Sequence, residues 1–354
     1  MKNRPIQRRW GSFLVDQDGA VGIVIALLLP ILFGFAGLAV DKGHEYAVRS
    51  QLKNAADAGA LRGARVLVPY TGSPGTPNWA QALSKAPLTV NLNSADNKQL
   101  TDSTVTYGYW NFTTKSLQSA GISPTVNDYP AVRVTVDKKV GKNDGPVSRY
   151  LASVLNIIPG VSVESTVDVS AASVAIISFP TGMPPGSLKP MVATTDIIDK
   201  YWDLPGTVQF KLGDGTQAND TMWSTFKMDN ESNAYTKELI LNGNPTDIYA
   251  AKDGKPGDFV WLQPGDRAVD YGPDEMGKFL NQTVVLPVVS PKDLTKKEFA
   301  EIKGFIAFHI TGYSQGGKYI EGYFDKNYVI TNPQTGKGVP SNPYSTASAP
   351  QLVD

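Results

Sequence analysis

The chain has 354 residues, 41% of them hydrophobic, which is enough apolar material for two modest cores or one large one and too much for a disordered chain. Lysine plus arginine equals aspartate plus glutamate at 33 each, so no net field draws the molecule to nucleic acid. There is no cysteine and only His44 and His309 supply imidazole, which excludes disulfides, thiolate metal sites and cysteine nucleophiles and leaves little for histidine-based metal sites or proton relays.

Lys2, Arg4, Arg8 and Arg9 form a short basic N-terminus (1–19) whose first nine residues contain no acid. A patch that small beside an apolar run reads as a membrane-topology signal, not a polyanion site. The run itself, Ala20 to Val40, is 21 residues without a charge. At about 1.5 Å per residue it spans roughly 30 Å, the thickness of a bilayer hydrocarbon core. Pro30 and the glycines within it weaken a helix in water but are tolerated in lipid. Gly37-Leu38-Ala39 offers small residues for a signal-peptide cut, but signal h-regions run only about 7–15 residues, and soluble helices seldom lack a polar face for so long. The expectation is an uncleaved single-pass anchor, N-terminus cytoplasmic and everything from about residue 41 outside. Gly34, Ala36, Gly37 and Ala39 are small enough to let other membrane helices pack against it.

Helix is expected to continue through residues 41–66, rich in alanine and unbranched side chains, until Val68-Pro69 stops it. Val48, Leu52, Ala55, Ala56, Gly59 and Gly63 fall near one stripe at three- and four-residue spacing, so this half should lie on the ectodomain. The whole helix comes to roughly 45 residues, about 65–70 Å.

From Asp18 to about Arg65 the chain resembles the N-terminal region of the TadE/TadG-like family of Flp (tight adherence, Tad) pilus-assembly proteins. The resemblance rests on DGAVGIVIALLLPILFGFAGLAVD followed by AVRSQLKNAADAGALRGAR. It is strong over the first sixth of the chain and diffuse beyond, where the Val288–Phe324 arrangement also looks like TadG-like ectodomains. Processed members of the family carry a glutamate five residues after the cleavage glycine. Counting from Gly19, that place holds Val24, and Glu45-Tyr46 lies beyond the membrane run, so the chain looks like the uncleaved TadG-like type. The von Willebrand A-like domain of longer TadG proteins would bring an Asp-x-Ser-x-Ser metal motif; Asp168 to Ser173 misses that spacing by one and reads as ordinary strand alternation. The resemblance implies a structural or scaffolding component in a bacterial inner membrane, with a periplasmic or extracellular ectodomain and other pilus-assembly proteins as partners.

Beyond the anchor, residues 67–178 read as an α+β domain. Gly72, Pro74, Gly75 and Pro77 mark a loop, Trp79 to Ala86 a short helix, and Asn91 to Asp102 a turn-rich stretch. Strands are expected at Thr104–Asn111, Ala131–Val136 and Ser162–Ile177, with a helix over Pro146–Ile158 on the spacing of Val147, Tyr150, Leu151, Val154 and Leu155. Phe179 to Gly186 is a Pro/Gly linker. Residues 187–331 alternate short strands and turns, with strands at Thr207–Leu212, Leu239–Leu241, Phe259–Leu262, Thr283–Val289, Phe305–Thr311 and Lys318–Phe324, the pattern of a sandwich or barrel. Residues 332–354 read as a flexible tail. The fold class expected is therefore α+β: a long N-terminal transmembrane helix, a small α+β domain and a β-rich domain.

Sequence motifs for catalysis fail their context. Gly312-Tyr313-Ser314-Gln315-Gly316 matches a nucleophile elbow, but a strand follows it and no histidine comes after Ser314. Gly213, Gly215 and Ala218 make a loose dinucleotide fingerprint with no βαβ unit around it. Asp214, Asn219 and Asp220 carry oxygens suited to calcium, and Asp253, Asp258 and Asp266 sit similarly, yet all are common turn residues. His309 shares a strand face with Phe305 and Ala307 and reads as structural. No catalytic, metal or cofactor-binding residue is assigned, and no nucleic acid or small-molecule substrate is expected; the lipid bilayer and pilus-assembly proteins are the expected partners. The rival reading is a membrane-tethered protein whose β-rich domain binds a polysaccharide or surface partner through a row of tryptophans such as Trp202, Trp223 and Trp261. A tethered hydrolase would need two facing acids about 5–9 Å apart, and no such pair is identified.

Overall fold

The computed structural model describes residues 17–68, 76–157, 160–202, 204, 208–213, 221–226, 232–251, 256–263, 272–290, 297–314, 319–330 and 345–353. The basic N-terminus, most of the loop around Gly72, the turns at Asp214–Asp220 and the residues Asp253 and Asp266 lie outside them. In chain order the elements are α1 (Gln17–Arg65), α2 (Trp79–Val90), β1 (Ser94–Ala95), β2 (Lys98–Gln99), β3 (Thr104–Asn111), β4 (Ser116–Gln118), β5 (Asp128–Lys138), β6 (Val147–Ser148), β7 (Thr166–Val167) and β8 (Val169–Ile176). They continue with β9 (Gly182–Met183), β10 (Met191–Thr194), α3 (Thr195–Tyr201), β11 (Phe210–Leu212), β12 (Thr221–Phe226) and α4 (Asn233–Asn242). The last are β13 (Ile248–Tyr249), β14 (Phe259–Gln263), β15 (Thr283–Val289), β16 (Glu298–Ser314), β17 (Tyr319–Phe324) and β18 (Gln351–Leu352). This is the α+β architecture expected, a long apolar helix followed by mixed and then β-rich structure.

The first helix is continuous over 49 residues, with Pro30 inside it. Along Ile23 to Val40 the large side chains that the structure describes point outward, Phe33 at 66% and Phe35 at 67% exposure. At Asp41 the environment changes. Val48, Leu52, Ala55, Ala56, Gly59 and Gly63, the stripe expected from the sequence, are all buried, and so are Asp41, Ala60 and Ala64. One helix thus carries an outward apolar half and an inward-packed half.

The chain forms two compact units, one of α1 up to Ala55 with residues 91–103 and 135–172, the other of residues 56–90, 104–134 and 173–354. In the first unit, β1 and β2 form a hairpin whose turn residues Asp96 and Asn97 have φ of 55° and 58°, the left-handed pair that a tight hairpin turn requires. Farther along, β6 pairs antiparallel with β7. Among the described residues the helix expected over 146–158 is not formed; β6 is followed there by a 3-10 turn, Ala152–Ile157. The N–H groups that would have run up such a helix are donated elsewhere, from Tyr150, Leu151 and Ala152 to the Asp41 carboxylate. The long strand expected over 162–177 is broken into β7 and β8 with Asp168 between.

In the second unit Gly59 and Gly63 are places of close approach. A Cβ on Gly59 would stand 2.7 Å from Val90 Cγ2, and one on Gly63 would stand 2.7 Å from Val132 Cγ1. Downstream, β16, β14, β12, β10 and β15 pair in succession and β15 pairs back to β16, so five strands close a ring, with β17 and β11 added outside it along β16. Within the ring the β10–β15 pair is parallel and the other four pairs are antiparallel. The 17-residue β16 makes this possible: Glu298–Glu301 pair with β14, Ile302–His309 with β15 and Phe308–Ser314 with β17, past a bulge at Thr311. Closure removes exposed edges from the five strands. Side-chain alternation then builds two cores. Val192, Phe226, Val260, Leu262, Val285, Val289, Ala300 and Ile302, drawn from all five ring strands, share one cluster. Met191, Ala193, Trp223, Leu286, Ile306 and Phe308 form the other with Ile197 and Ile198 of α3.

Three stretches of this unit depart from expectation. Leu239–Leu241 belongs to α4, not to a strand; Ser232 caps the helix by accepting from Tyr235 N, and Gly243, at φ 78°, ends it with its N–H on Leu239 O at 2.8 Å. Residues 179–186 carry β9, which pairs with β13, and Phe179 and Met183 are buried. The described part of the expected tail is packed: Ser345 Oγ and Thr346 Oγ1 accept from Phe305 N and Ala307 N, and β18 pairs with β8. Hydroxyls there do the hydrogen bonding that a regular strand would have done.

Candidate functional site

The end of the apolar run is where the first unit concentrates its long-range polar contacts. The Asp41 carboxylate is 4% exposed and accepts from three successive backbone N–H groups, Tyr150 at 2.8 Å, Leu151 at 3.0 Å and Ala152 at 2.5 Å. These donors open the 3-10 turn, so Asp41 acts as its N-cap from 109 residues away in sequence. Burial alone would raise its pKa, but the N–H donors of Ala152, Tyr150 and Leu151, with the charge of Arg149, outweigh it and hold the carboxyl below its ordinary value. Beneath this tie the 3-10 turn lies on bare helix backbone. A Cβ on Gly37 would stand 2.8 Å from Leu151 Cβ, and one on Gly34 would stand 2.6 Å from Leu155 Cδ2. The glycines are what allow the approach.

Above the tie, further polar groups fasten α1 within the same unit. His44 Nε2 lies 3.2 Å from Asp96 Oδ1, and Gln51 Oε1 accepts from Asp96 N at 2.8 Å. Lys53 donates to Ala172 O at 3.1 Å. Lys138, 1% exposed, donates to Asn143 O at 3.0 Å with Asp96 Oδ2 at 3.8 Å. Asn143, at φ 47°, accepts from Thr101 N and Asp102 N and donates to Asp102 O and Asp137 O, all four contacts at 2.8–2.9 Å. Asp137 is held below the usual carboxylate range: its burial is overcome by Ser170 and Lys139 hydrogen bonds and by the Lys139 and Lys142 charges. These contacts fasten one part of the first unit to another.

Of the residues singled out in sequence, Gly34 and Gly37 are covered by the chain's own Leu155 and Leu151, whereas Ala36 and Ala39 are exposed. Lys2, Arg4, Arg8 and Arg9 lie outside the described residues. Ser314 ends β16, and the strand β17 pairs back on it, Ser314 opposite Tyr319. His309 Nδ1 is 3.0 Å from Thr283 Oγ1 and the ring stacks on Tyr323. Asp258 Oδ2 accepts from Tyr249 N. Trp223 is buried in a core cluster, Trp202 packs against the same cluster and Trp261 tilts against Phe299, so these three do not make an exposed row. Among the described residues no group of three or more acids and histidines could hold a metal ion.

Two features sequence reasoning missed lie in the second unit. Lys189 is 8% exposed, donates to Ile240 O at 2.8 Å at the end of α4, and sits 4.1 Å from the Phe279 ring centroid; burial lowers its pKa to about 8. Arg62 and Arg65, one turn apart at the end of α1, line an open cleft of about 430 Å³ with Asn78, Gln81 and Asn327. Arg65 donates to the Asn327 carbonyl, and its pKa is lowered, first by burial and then by Arg62.

Two family models match the part of the chain built around α1. Residues 19–66 match putative Flp pilus-assembly TadE/G-like proteins, and residues 47–175 match putative Tad-like Flp pilus-assembly proteins. No curated protein and no solved structure gives a significant match. The first match ends with α1 and the second ends within β8, so together they contain the whole Asp41 tie, Asp41 on one side and residues 150–152 on the other. Over residues 19–175, a little under half of the chain, the protein is thus similar to Flp pilus-assembly proteins, TadE/G-like through residue 66 and Tad-like from residue 47.

Proposed function

We propose that the protein is a single-pass structural component of Tad/Flp pilus assembly, anchored in the inner membrane by residues 20–40, with its N-terminus cytoplasmic and everything from about residue 41 on the periplasmic or extracellular side. The observation that carries this reading is the change in α1 at Asp41. On one side are outward apolar side chains over the length of a bilayer core; on the other, without a break, are buried ones. Among the described residues α1 is the helix long and apolar enough to cross a membrane. A rigid helix with no break transmits position between membrane and ectodomain, which suits a scaffold. Ala36 and Ala39, exposed on the apolar half, are the small residues left for lateral packing against other membrane helices. The family consists of assembly components, and we assign no catalytic step.

The test is genetic and structural together. In a strain lacking the gene, the full chain should restore pilus number and surface adhesion. A chain with residues 187–331 deleted but the anchor retained should not. Normal piliation in that deletion strain would remove the β-rich half from the assembly role.

A further inference from the structure

We propose that residues 150–157 and 160–163 belong to a second membrane-inserted element, seated in the leaflet on the ectodomain side beside the exit of α1 and covered by lipid acyl chains. The proposal rests on the reading of residues 20–40 as a transmembrane anchor and adds to it a partner surface for a segment far away in sequence.

Tyr150 to Val163 is a 14-residue stretch without a charge, flanked by Arg149 and Glu164. It leaves and rejoins the unit through a closed neck, β6 paired with β7 and Arg149 N donating to Ser165 O at 2.8 Å. From that neck it runs back along α1 toward the apolar half. Tyr150 to Ala152 meet Asp41, Leu151 meets Gly37 and Leu155 meets Gly34. Gly34 is seven residues before Asp41, about 10 Å farther down the helix. If the run up to Val40 fills the hydrocarbon core, Leu155 lies within that core near its outer boundary, the depth of an interfacial segment, roughly 5–10 Å. Tyr150, Leu151 and Val161 are 62%, 42% and 39% exposed, on the unit that also exposes Leu38 and Val40.

The polar groups at the two ends of the loop have partners within the chain. In hydrocarbon each unpaired backbone group costs several kcal/mol, so irregular chain needs internal partners. Asp41 takes the three N–H groups at the start of the turn. Asn156 serves both sides of Val163, its Oδ1 accepting from Val163 N at 2.6 Å and its Nδ2 donating to Val163 O at 3.0 Å. Tyr150, at the level of Asp41, is the residue type that favours the water–lipid boundary.

Because the chain has no cysteine, single-cysteine variants take one nitroxide label each. The full-length protein is reconstituted in phosphatidylethanolamine–phosphatidylglycerol vesicles with labels at Leu28→Cys, Leu151→Cys, Val161→Cys and, as a solvent control, Val140→Cys, which is 84% exposed. Spin-label accessibility is then read with oxygen and with a water-soluble nickel chelate. Labels at 161 and 28 should both lose relaxation by the chelate and keep it by oxygen, with 151 intermediate and 140 open to the chelate. If 28 is in lipid while 161 and 151 stay open to the chelate, the proposal fails and the anchor stands. If 161 is shielded from both reagents, protein and not lipid covers the loop, and the proposal fails. If 28 itself is open to the chelate, the anchor reading falls and this proposal with it.

Discussion

Replacing Asp41 by alanine is the sharpest perturbation the structure offers, because one side chain joins the membrane exit of α1 to a loop 109 residues away. The change removes three charge-assisted hydrogen bonds, from the N–H groups of Tyr150, Leu151 and Ala152. Bonds to a charged group contribute about 1.5–3 kcal/mol each, set against the desolvation of the carboxylate itself. A long-range N-cap that holds three donors should therefore be worth about 3 kcal/mol, above the usual single cap of about 1. The loss should be local, opening residues 149–165 without unfolding the ring of strands. In nanodiscs, hydrogen exchange at amides 150–152 should quicken by roughly 100-fold in Asp41→Ala, as such an energy implies, while amides of β15 and β16 keep their protection. Asp41→Asn keeps one acceptor oxygen and should fall between. Because the folded pKa of Asp41 lies below its ordinary value of 3.8, its stabilisation is fully present above about that pH and is lost as pH falls through the folded pKa. The advantage of the native chain over Asp41→Asn should therefore shrink only below pH 3.8. Equal exchange at amides 150–152 in the native chain and in Asp41→Ala at neutral pH would refute this account of the tie.

Further expectations follow from the same contacts. Gly37→Val should force Leu151 away from α1, since even a Cβ there meets Leu151 Cβ at 2.8 Å; cross-linking between positions 37 and 151 should drop, at a cost of about 1–3 kcal/mol to local stability. Asn143→Ala removes four hydrogen bonds and leaves a non-glycine residue at φ 47°, so denaturant midpoints should fall by about 2–4 kcal/mol equivalent. Lys189, lowered by burial to about 8 from 10.5, binds its proton more weakly folded than unfolded. Stability should thus rise with pH between about 8 and 10.5, by an amount on the order of 3 kcal/mol at most, and Lys189→Met should flatten that slope.

What the sequence made legible was whatever is decided locally. The uncharged run from Ala20 and the alanine-rich stripe after it mark α1 nearly to its ends, and strand-like runs bounded by turns mark β3 and β15 with their observed boundaries. The failures share a cause. The apolar spacing over Pro146–Ile158 is helical, but its first donors are taken by Asp41 and Val147 is taken by Val167, partners that no local window contains. Leu239–Leu241 resembles a strand until Ser232 and Gly243 are seen to bracket a helix. Ring closure depends on the parallel β10–β15 pair and on β16 serving three neighbours, which alternation does not encode. Of the site, Gly34 and Gly37 were marked by size alone; that Leu155 and Leu151 of the same chain would cover them had no local signal.

The central claim is that α1 crosses the membrane and that everything from Asp41 onward lies outside the cytoplasm. Thiol labelling with a membrane-impermeant maleimide tests it in spheroplasts expressing either Asn3→Cys or Val140→Cys in a chain otherwise free of cysteine. The account predicts that Val140→Cys labels in intact spheroplasts and that Asn3→Cys labels only after lysis. Labelling of Asn3→Cys in intact spheroplasts, or of Val140→Cys only after lysis, would contradict it.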